Sequence, residues 1–406
     1  MITENKQFLD PRKVYIPLTD KVSKIANVKV ALNDEVLAGQ TIAWKFNGKQ
    51  KTPVIATVSG TVIGFEEYQD RFGKMIDHII IENDYKNTTV EYKQLSREAT
   101  ASEIRNRLEE AGVNQVTVDG LYTNIDFEKP INHIVINAVY TNEPFISTEY
   151  ESIKKHAEQI AIGIELLGKA ARTNKLYLIV DKFMDEETLE NLGKATVDKG
   201  IEVVTMNSKL LQGFDYKFIR SLIRKPLTNN LLDDGVMYTS ICAAQAVYDS
   251  VIESLPFTKR QVAITGDAFK VNALCEVRIG SLFADIVEEF GGYQETEQLN
   301  CHIGSFLTGE QLTTDAFSIT ASVDSINVGV IREDQEEVCI KCGDCNDICP
   351  AGILPQNIMD AELRNVNTRI VELNTHECIE CGLCTYVCPS KINVLEWVRR
   401  AKRRVG

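Results

Sequence analysis

Apolar and polar positions follow three different rhythms along the chain. Between residues 14 and 83 they alternate in short runs, "KVYIPL", "VKVALNDEVLAGQTIAW", "PVIATVSGTVIGFE" and "HIIIEN", separated by turn residues. This is the period-two pattern of half-buried strands. Between 133 and 206 the rhythm changes. "HIVINAV" is the continuous apolar run of a buried strand, and Ile153, Ala157, Ile160, Ile164 and Leu167 then recur at helical spacing. "KLYLIV", "DEETLENLGKATVD" and "IEVVTM" follow as strand, helix and strand. That alternation predicts a parallel sheet with crossover helices, and Thr148 with Glu151 is expected to cap the first helix. From about 258 the chain turns β-rich again, with "RQVAITG", "CEVRIG" and "SINVGVI" around one helix, "SLFADIVEEFGG". A basic amphipathic segment, "NVLEWVRRAKRRV", closes the chain.

These rhythms predict an α/β multidomain protein. Its expected parts are a β barrel-sandwich over 1–95, a Rossmann-like parallel α/β domain over 96–257, a β-grasp unit over 258–332 and a C-terminal part over 333–406. In the first part "NDEVLAGQ" and "TVSGTV" read as the two halves of a sandwich of the kind used by lipoyl and biotinyl carriers. Such carriers present a lysine in the turn between the halves. Here Val58 is expected at that tip, so no prosthetic group attaches. No turn of the parallel region carries G-x-G-x-x-G, which excludes the usual dinucleotide fingerprint. Gly163 and Gly168, inside the predicted helix, are expected to permit close packing.

Length and composition narrow the function. A chain of 406 residues exceeds one small core. With 44% hydrophobic and 25% charged residues it reads as an ordinary soluble protein. A net charge of −14 repels nucleic acid and anionic lipid. No apolar run reaches the ~18 residues of a membrane span. "MITENKQFLDPRK" lacks a signal-peptide core, so the expected location is the cytoplasm, where clustered cysteines hold metal rather than form disulfides.

Eight of the eleven cysteines fall in two runs, "CIKCGDCNDICP" at 339–350 and "CIECGLCTYVCP" at 378–389. Each has the form C-x2-C-x2-C-x3-C-P. Three closely spaced thiolates wrap one face of a cubane, and in two-cluster ferredoxins the fourth ligand comes from the other run. Cys339, Cys342, Cys345 and Cys388 are therefore expected to hold one [4Fe–4S] cluster, and Cys378, Cys381, Cys384 and Cys349 the second. Gly343 and Gly382 are expected to leave room for backbone amides to approach the sulfurs. Paired structural zinc sites fit the triple C-x2-C-x2-C spacing badly. Cys242, Cys275 and Cys301 lie singly and read as small buried hydrophobes. The five histidines show no metal spacing. The cations Arg399, Arg400, Lys402, Arg403 and Arg404 read as the solvated end of the last helix.

The order of parts, together with "LNDEVLAGQTIA", "VSGTVIGFEE", "HIVINAVYTNEPF", "TGDAFKVNALCEVRIG" and "CPAGILPQ", resembles the C subunit of the Rnf electron-transport complex. That RnfC-like group is similar to the cobalamin reductase of propanediol-utilisation microcompartments and to the proline reductase-associated PrdC. The resemblance implies FMN and NADH binding through a loop of the form G-x-x-G-x-G-G-A-G-F-P-T-x-x-K, and the stretch at that place is "GVNQVTVDGLYTNID", residues 112–126. Gly112, Gly120 and Thr123 match. Gln115, Thr117 and Val118 replace glycines, Tyr122 replaces the proline and Asp126 replaces the lysine, while Asp119 adds negative charge. The family's N-G-A-E-C-E-P reads "NAVYTNEP", keeping Asn137, Glu143 and Pro144. Close backbone approach to phosphate depends on those glycines, so FMN and NADH are expected not to bind and the remnants not to function.

The expected function is electron transfer rather than stand-alone NADH oxidation. Electrons would pass through both clusters between a flavoprotein or ferredoxin and a partner reductase, as in PrdC-like delivery or in an Rnf-type complex at a membrane. The alternatives are an FMN-dependent NADH dehydrogenase subunit with a divergent nucleotide site, and a scaffold subunit in which the clusters only staple the chain end.

Overall fold

The computed structural model describes residues 4–20, 23–47, 50–70, 73–113, 125–139, 148–206, 214–228, 230–269, 272–294, 299–304, 309–330 and 335–405. Two small antiparallel sheets face each other near the N-terminus. One is ordered Lys13–Pro17, Met75–Asn83, Gly60–Gln69 and Glu35–Val36, the other Ile25–Val28, Thr41–Asn47 and Gln50–Ile55. The alternating pattern puts Val14, Ile16, Ile42, Val54, Val62, Ile79 and Ile81 into one shared core. Burying each such side chain is worth roughly 1.5–3 kcal/mol. Val58 is in that core and fully buried, so it stands at no exposed tip.

The middle of the chain builds a four-stranded sheet in the order Ile201–Met206, Leu176–Asp181, His133–Ala138, Val236–Ser240, parallel throughout. The helices Ala101–Glu110, Thr148–Ala171 and Ile241–Val251 contribute to the core on one face, and Phe214–Ile223 contributes to the core on the other. Thr148–Ala171 crosses Ile241–Val251 at Gly163, where a Cβ would come within 2.0 Å of the Ala244 carbonyl oxygen. The expected role of Gly163 in close packing is what the crossing shows, and the Gly168 site is crowded by Leu176. The expected capping box at Thr148 and Glu151 does not form. Thr148 is already helical and its hydroxyl donates to the Glu149 carboxylate at 2.9 Å. A capping box does open Ala101–Glu110: the Glu103 N–H donates to the Thr100 hydroxyl, and the Thr100 N–H to the Glu103 carboxylate.

A six-stranded mixed sheet follows, ordered Glu4–Phe8, Ala273–Arg278, Lys259–Thr265, Ser325–Val330, Leu299–Ile303, Glu310–Leu312, with the helix Phe283–Glu289 over it. Its edge strand comes from the chain's start, since Glu4–Phe8 pairs in parallel with Ala273–Arg278. The Thr57 hydroxyl donates to the Ile279 carbonyl at 2.6 Å, and the Tyr15 N–H to the Gly280 carbonyl at 2.7 Å, so the sandwich is bonded to this sheet. The last described segment, 335–405, is a small helical module with its own apolar core.

Candidate metal centre

The module is built from two copies of one local structure. Lys341 and Glu380 hold the same place in their runs and share a left-handed φ of 55°. Gly343 (φ 91°) and Gly382 (φ 77°) then precede the short helices Asp344–Asp347 and Leu383–Tyr386. A Cβ on Gly343 would meet nothing within 4 Å. The positive φ by itself favours glycine at both places. Each short helix turns the chain back so that three cysteines line one hollow.

The fourth cysteine crosses over. Cys339, Cys342 and Cys345 share their cavity with Cys388. Cys378, Cys381 and Cys384 share theirs with Cys349. Met359, Ile392 and Val394 wall the first cavity, and Ile353, Leu383, Leu395 and Val398 the second. Among the described residues no group of three or more His, Cys, Asp or Glu is set up to hold a metal ion. The thiols are instead spread around two hollows, four to each. An all-thiol donor set of four in an apolar wall fits a cubane. Cys342 is exposed to solvent, whereas Cys345 and Cys384 are buried and the other five partly so.

Burial pushes the Cys345 thiol up to about 11 and those of Cys381 and Cys384 up to about 12, and the neighbouring thiols add to the shift. Thiols so raised are protonated at neutral pH, and a cluster held by them would supply the positive charge that displaces those protons. One backbone donor is already in place: the Glu380 N–H points to the Cys378 Sγ at 3.4 Å.

The last helix, Val394–Val405, locks the second run. Val394, Leu395, Val398 and Ala401 are buried against the module. Arg400, Arg403 and Arg404 are exposed, as expected from sequence, while Arg399 and Lys402 are only partly so, and all five are paired with acids. Arg399 Nε and Lys402 Nζ each reach the Glu380 carboxylate at 3.0 Å, Arg404 reaches Glu362 at 2.7 Å, and Arg400 and Arg403 reach Glu396. Burial works against ionisation of Glu380, but the hydrogen bonds and charges of Lys402 and Arg399 outweigh it and hold its carboxyl below the usual range.

Two of the remaining three cysteines behave as small core groups, while Cys242 is partly buried beside a cleft. Cys275 and Cys301 are buried with thiols pushed up to about 12 by burial. Burial likewise raises Cys242, the opposite of a reactive thiol. His78 is a core residue bonded to the Ile76 carbonyl and the Ser318 hydroxyl, and His376 is exposed.

Of the five nucleotide-loop remnants, Gly112 and Asn137 are described. Gly120, Thr123 and Glu143 lie outside the described residues, as do Gln115, Thr117, Val118, Asp119 and Tyr122. Gly112 (φ 71°) ends the helix Ala101–Glu110, its N–H donating to the Glu109 carbonyl at 3.0 Å. The Asn137 side chain accepts from the Val139 N–H at 2.9 Å where its strand ends. Both do local backbone work.

One feature had no signal in the sequence. A cleft of about 330 Å³ lies between the helices Thr148–Ala171 and Ile241–Val251 and the mixed sheet, lined in part by Glu149, Cys242, Gln245, Asp249, Arg260 and Asp324. Burial raises the Glu149 and Asp249 carboxyls. Its walls come from separate segments between Thr148 and Asp324, so no local spacing could announce it.

A family model for the RnfC barrel sandwich hybrid domain matches residues 3–86, and one for the 4Fe–4S dicluster domain matches 338–392. The C subunit of the Na(+)-translocating ferredoxin:NAD(+) oxidoreductase complex of Acetobacterium woodii is 28% identical over 97% of this chain and 91% of its own length. The chain is RnfC-like. Another relative of this RnfC-like chain is the C subunit of the proton-translocating ferredoxin:NAD(+) oxidoreductase complex of Clostridium ljungdahlii, 25% identical over 85% of this chain and 77% of its own. Among solved structures, a chain of an NAD+-reducing [NiFe]-hydrogenase in the H2-reduced state overlays with a TM-score of 0.48. Its identity is 12%, over 75% of this chain and 61% of that one, too loose to bear on function. The RnfC-like chain thus joins a barrel-sandwich start to a dicluster end across a mixed α/β middle.

Proposed function

We propose that this RnfC-like chain is an electron-transfer subunit of an Rnf-type ferredoxin:NAD+ oxidoreductase complex, with two [4Fe–4S] clusters as its working parts. The observation that carries this reading is the crossed pair of cavities, each lined by three cysteines of one run and one of the other. A cubane bound in each cavity supplies a one-electron carrier. The protein's own contribution is positional. Cys349 and Cys388 tie the two cavities together and fix their separation. The apolar walls keep water from the buried thiolates, while exposed Cys342 gives one edge from which a partner exchanges electrons.

The middle of the chain is read as a Rossmann-like domain followed by a β-grasp unit, forming the body that docks to neighbouring subunits. No described helix is long and apolar enough to cross a membrane, so association with a membrane complex would run through those subunits. FMN and NADH are read as absent from this chain. Support comes from the side chains standing in place of loop glycines and from the local backbone roles of Gly112 and Asn137. Electrons would then come from a separate flavoprotein or ferredoxin, and PrdC-like delivery to a reductase would use the same path.

Anaerobic purification followed by iron, sulfide and flavin analysis tests the reading. Broad iron–sulfur absorbance that dithionite bleaches, no extractable FMN and no bleaching by NADH are expected. Extractable FMN with NADH bleaching would instead establish the flavin-dependent dehydrogenase. Clusters that cannot be reduced would leave only the scaffold.

A further inference from the structure

The two cysteine runs fold alike but carry opposite charge at one matched position. Lys341 lies between Cys339 and Cys342, and Glu380 lies between Cys378 and Cys381, both at φ 55°. A carboxylate beside a thiolate cage opposes reduction, because a cubane gains one negative charge with each electron. Glu380 does not act alone. Lys402 Nζ stands 3.0 Å from one of its oxygens and Arg399 Nε 3.0 Å from the other. Lys402 also donates to the backbone carbonyl of Cys378 at 2.8 Å, which fixes its charge against a cluster ligand. Arg399 and Lys402 are three residues apart on Val394–Val405, at the border of the face buried through Val394, Leu395, Val398 and Ala401. Packing, not a flexible chain end, therefore sets where these cations sit. The first run has no such arrangement within itself: beside Lys341 it carries Asp344 and Asp347.

We propose that Lys402 is a positioning residue that sets the reduction potential of the cluster held by Cys378, Cys381, Cys384 and Cys349, raising it by placing a fixed cation against Cys378. Its electrostatic action overcompensates Glu380 and makes the two clusters inequivalent. The transfer itself adds one electron to the cluster from the donor, and no bond is made or broken. The inference rests on the reading that both cavities hold [4Fe–4S] clusters.

The test is a potentiometric titration of the full chain with dithionite, followed by EPR, with iron and sulfide counted in each sample. In Lys402→Met, one of two midpoints should fall by about a tenfold change in the oxidised-to-reduced ratio, about 59 mV for one electron, while the other stays. Lys402→Arg should return it towards the wild-type value, and Glu380→Gln should raise that same midpoint. Lys341→Met should move only the other. A Lys402→Met protein with full iron whose midpoints are unchanged, or shift together, overturns the proposal. Should Lys402→Met lose iron, Glu380→Gln decides, and a midpoint that does not rise overturns it. A wild-type protein that cannot be loaded with iron and sulfide would instead overturn the cluster reading itself.

Discussion

Cys388, the last cysteine of the second run, stands in the same cavity wall as Cys339, the first cysteine of the first. Cys349 makes the reciprocal crossing to Cys378. Variants should therefore group by cavity and not by position in the chain. Cys388→Ser should lose or convert the same EPR signal as Cys342→Ser, and Cys349→Ser the same signal as Cys381→Ser, each with up to half of the iron gone. If Cys349→Ser instead matched Cys342→Ser, each run would be serving its own cluster and the crossing would be wrong.

Gly163 and Gly193 lie inside helices but should respond to alanine with opposite sign. A Cβ at Gly163 would press to 2.0 Å from the Ala244 carbonyl, and backbone on both helices has to move. Overpacking of that kind costs about 3 kcal/mol. Gly193, on the helix Glu186–Thr196, has nothing within 4 Å of such an atom. There alanine should stabilise by about 0.5–1 kcal/mol through helix propensity and a less free unfolded chain. Urea midpoints followed by far-UV circular dichroism separate the two. A Gly163→Ala protein as stable as wild type would mean the helix pair tolerates a wider crossing.

The strands of the sandwich and the alternation after residue 133 were legible because each carries one period, bounded by turn residues. The segment from Val236 to Val251 was not. "VMYTSICAAQAVYDSV" is one apolar stretch in which strand passes straight into helix at Ser240, whose side chain accepts from the Ala243 N–H. Nothing punctuates that change of period except the cap itself. The strand Glu4–Phe8 was equally hidden, since its partner lies some 270 residues away. At the metal centre the opposite held. The C-x2-C-x2-C-x3-C-P spacing is dictated by ligand geometry, so the sequence already named both quartets that the two cavities bring together. Cations on the last helix were visible as cations, and Glu396 with Arg400 is an i,i+4 pair that spacing alone announces, but Glu362 and Glu380 could be paired with them only once the helix was placed.

His78 makes the sandwich sensitive to mild acid. It is fully buried, and its Nδ1–H donates to the Ile76 carbonyl at 2.8 Å, leaving Nε2 to accept from the Ser318 hydroxyl at 3.2 Å. Burial lowers its pKa below the ordinary ~6.5, with Lys45 acting in the same sense and the Ile76 bond, Asp70 and Asp77 opposing. The unfolded chain therefore binds a proton that the folded one refuses as pH falls below about 6.5, and stability declines there. Above that pH the contribution is constant. His78→Gln should flatten the slope of the urea midpoint between about pH 6.5 and 5 relative to wild type. An unchanged slope would assign the acid sensitivity to other groups.

Glu362 ties the last helix to the helix Pro355–Leu363. The residue is 6% exposed, one carboxylate oxygen bonds Arg404 at 2.7 Å, and the other has no hydrogen-bond partner. Arg404 also donates to the Asn365 side chain at 2.6 Å. Removing the cation leaves a buried carboxylate uncompensated, which costs about 3–5 kcal/mol in a fully buried pair. Arg404 is one-third exposed, so a loss of about 2 kcal/mol is expected for Arg404→Met. Replacing both partners removes the stranded charge, and Arg404→Met with Glu362→Met should recover most of that loss. Because the same helix carries Lys402, the single variant should also release the clusters sooner, seen as earlier decay of visible absorbance in urea. A single variant that holds its clusters as long as wild type, with the double no better, would show that the apolar face of the last helix alone secures it.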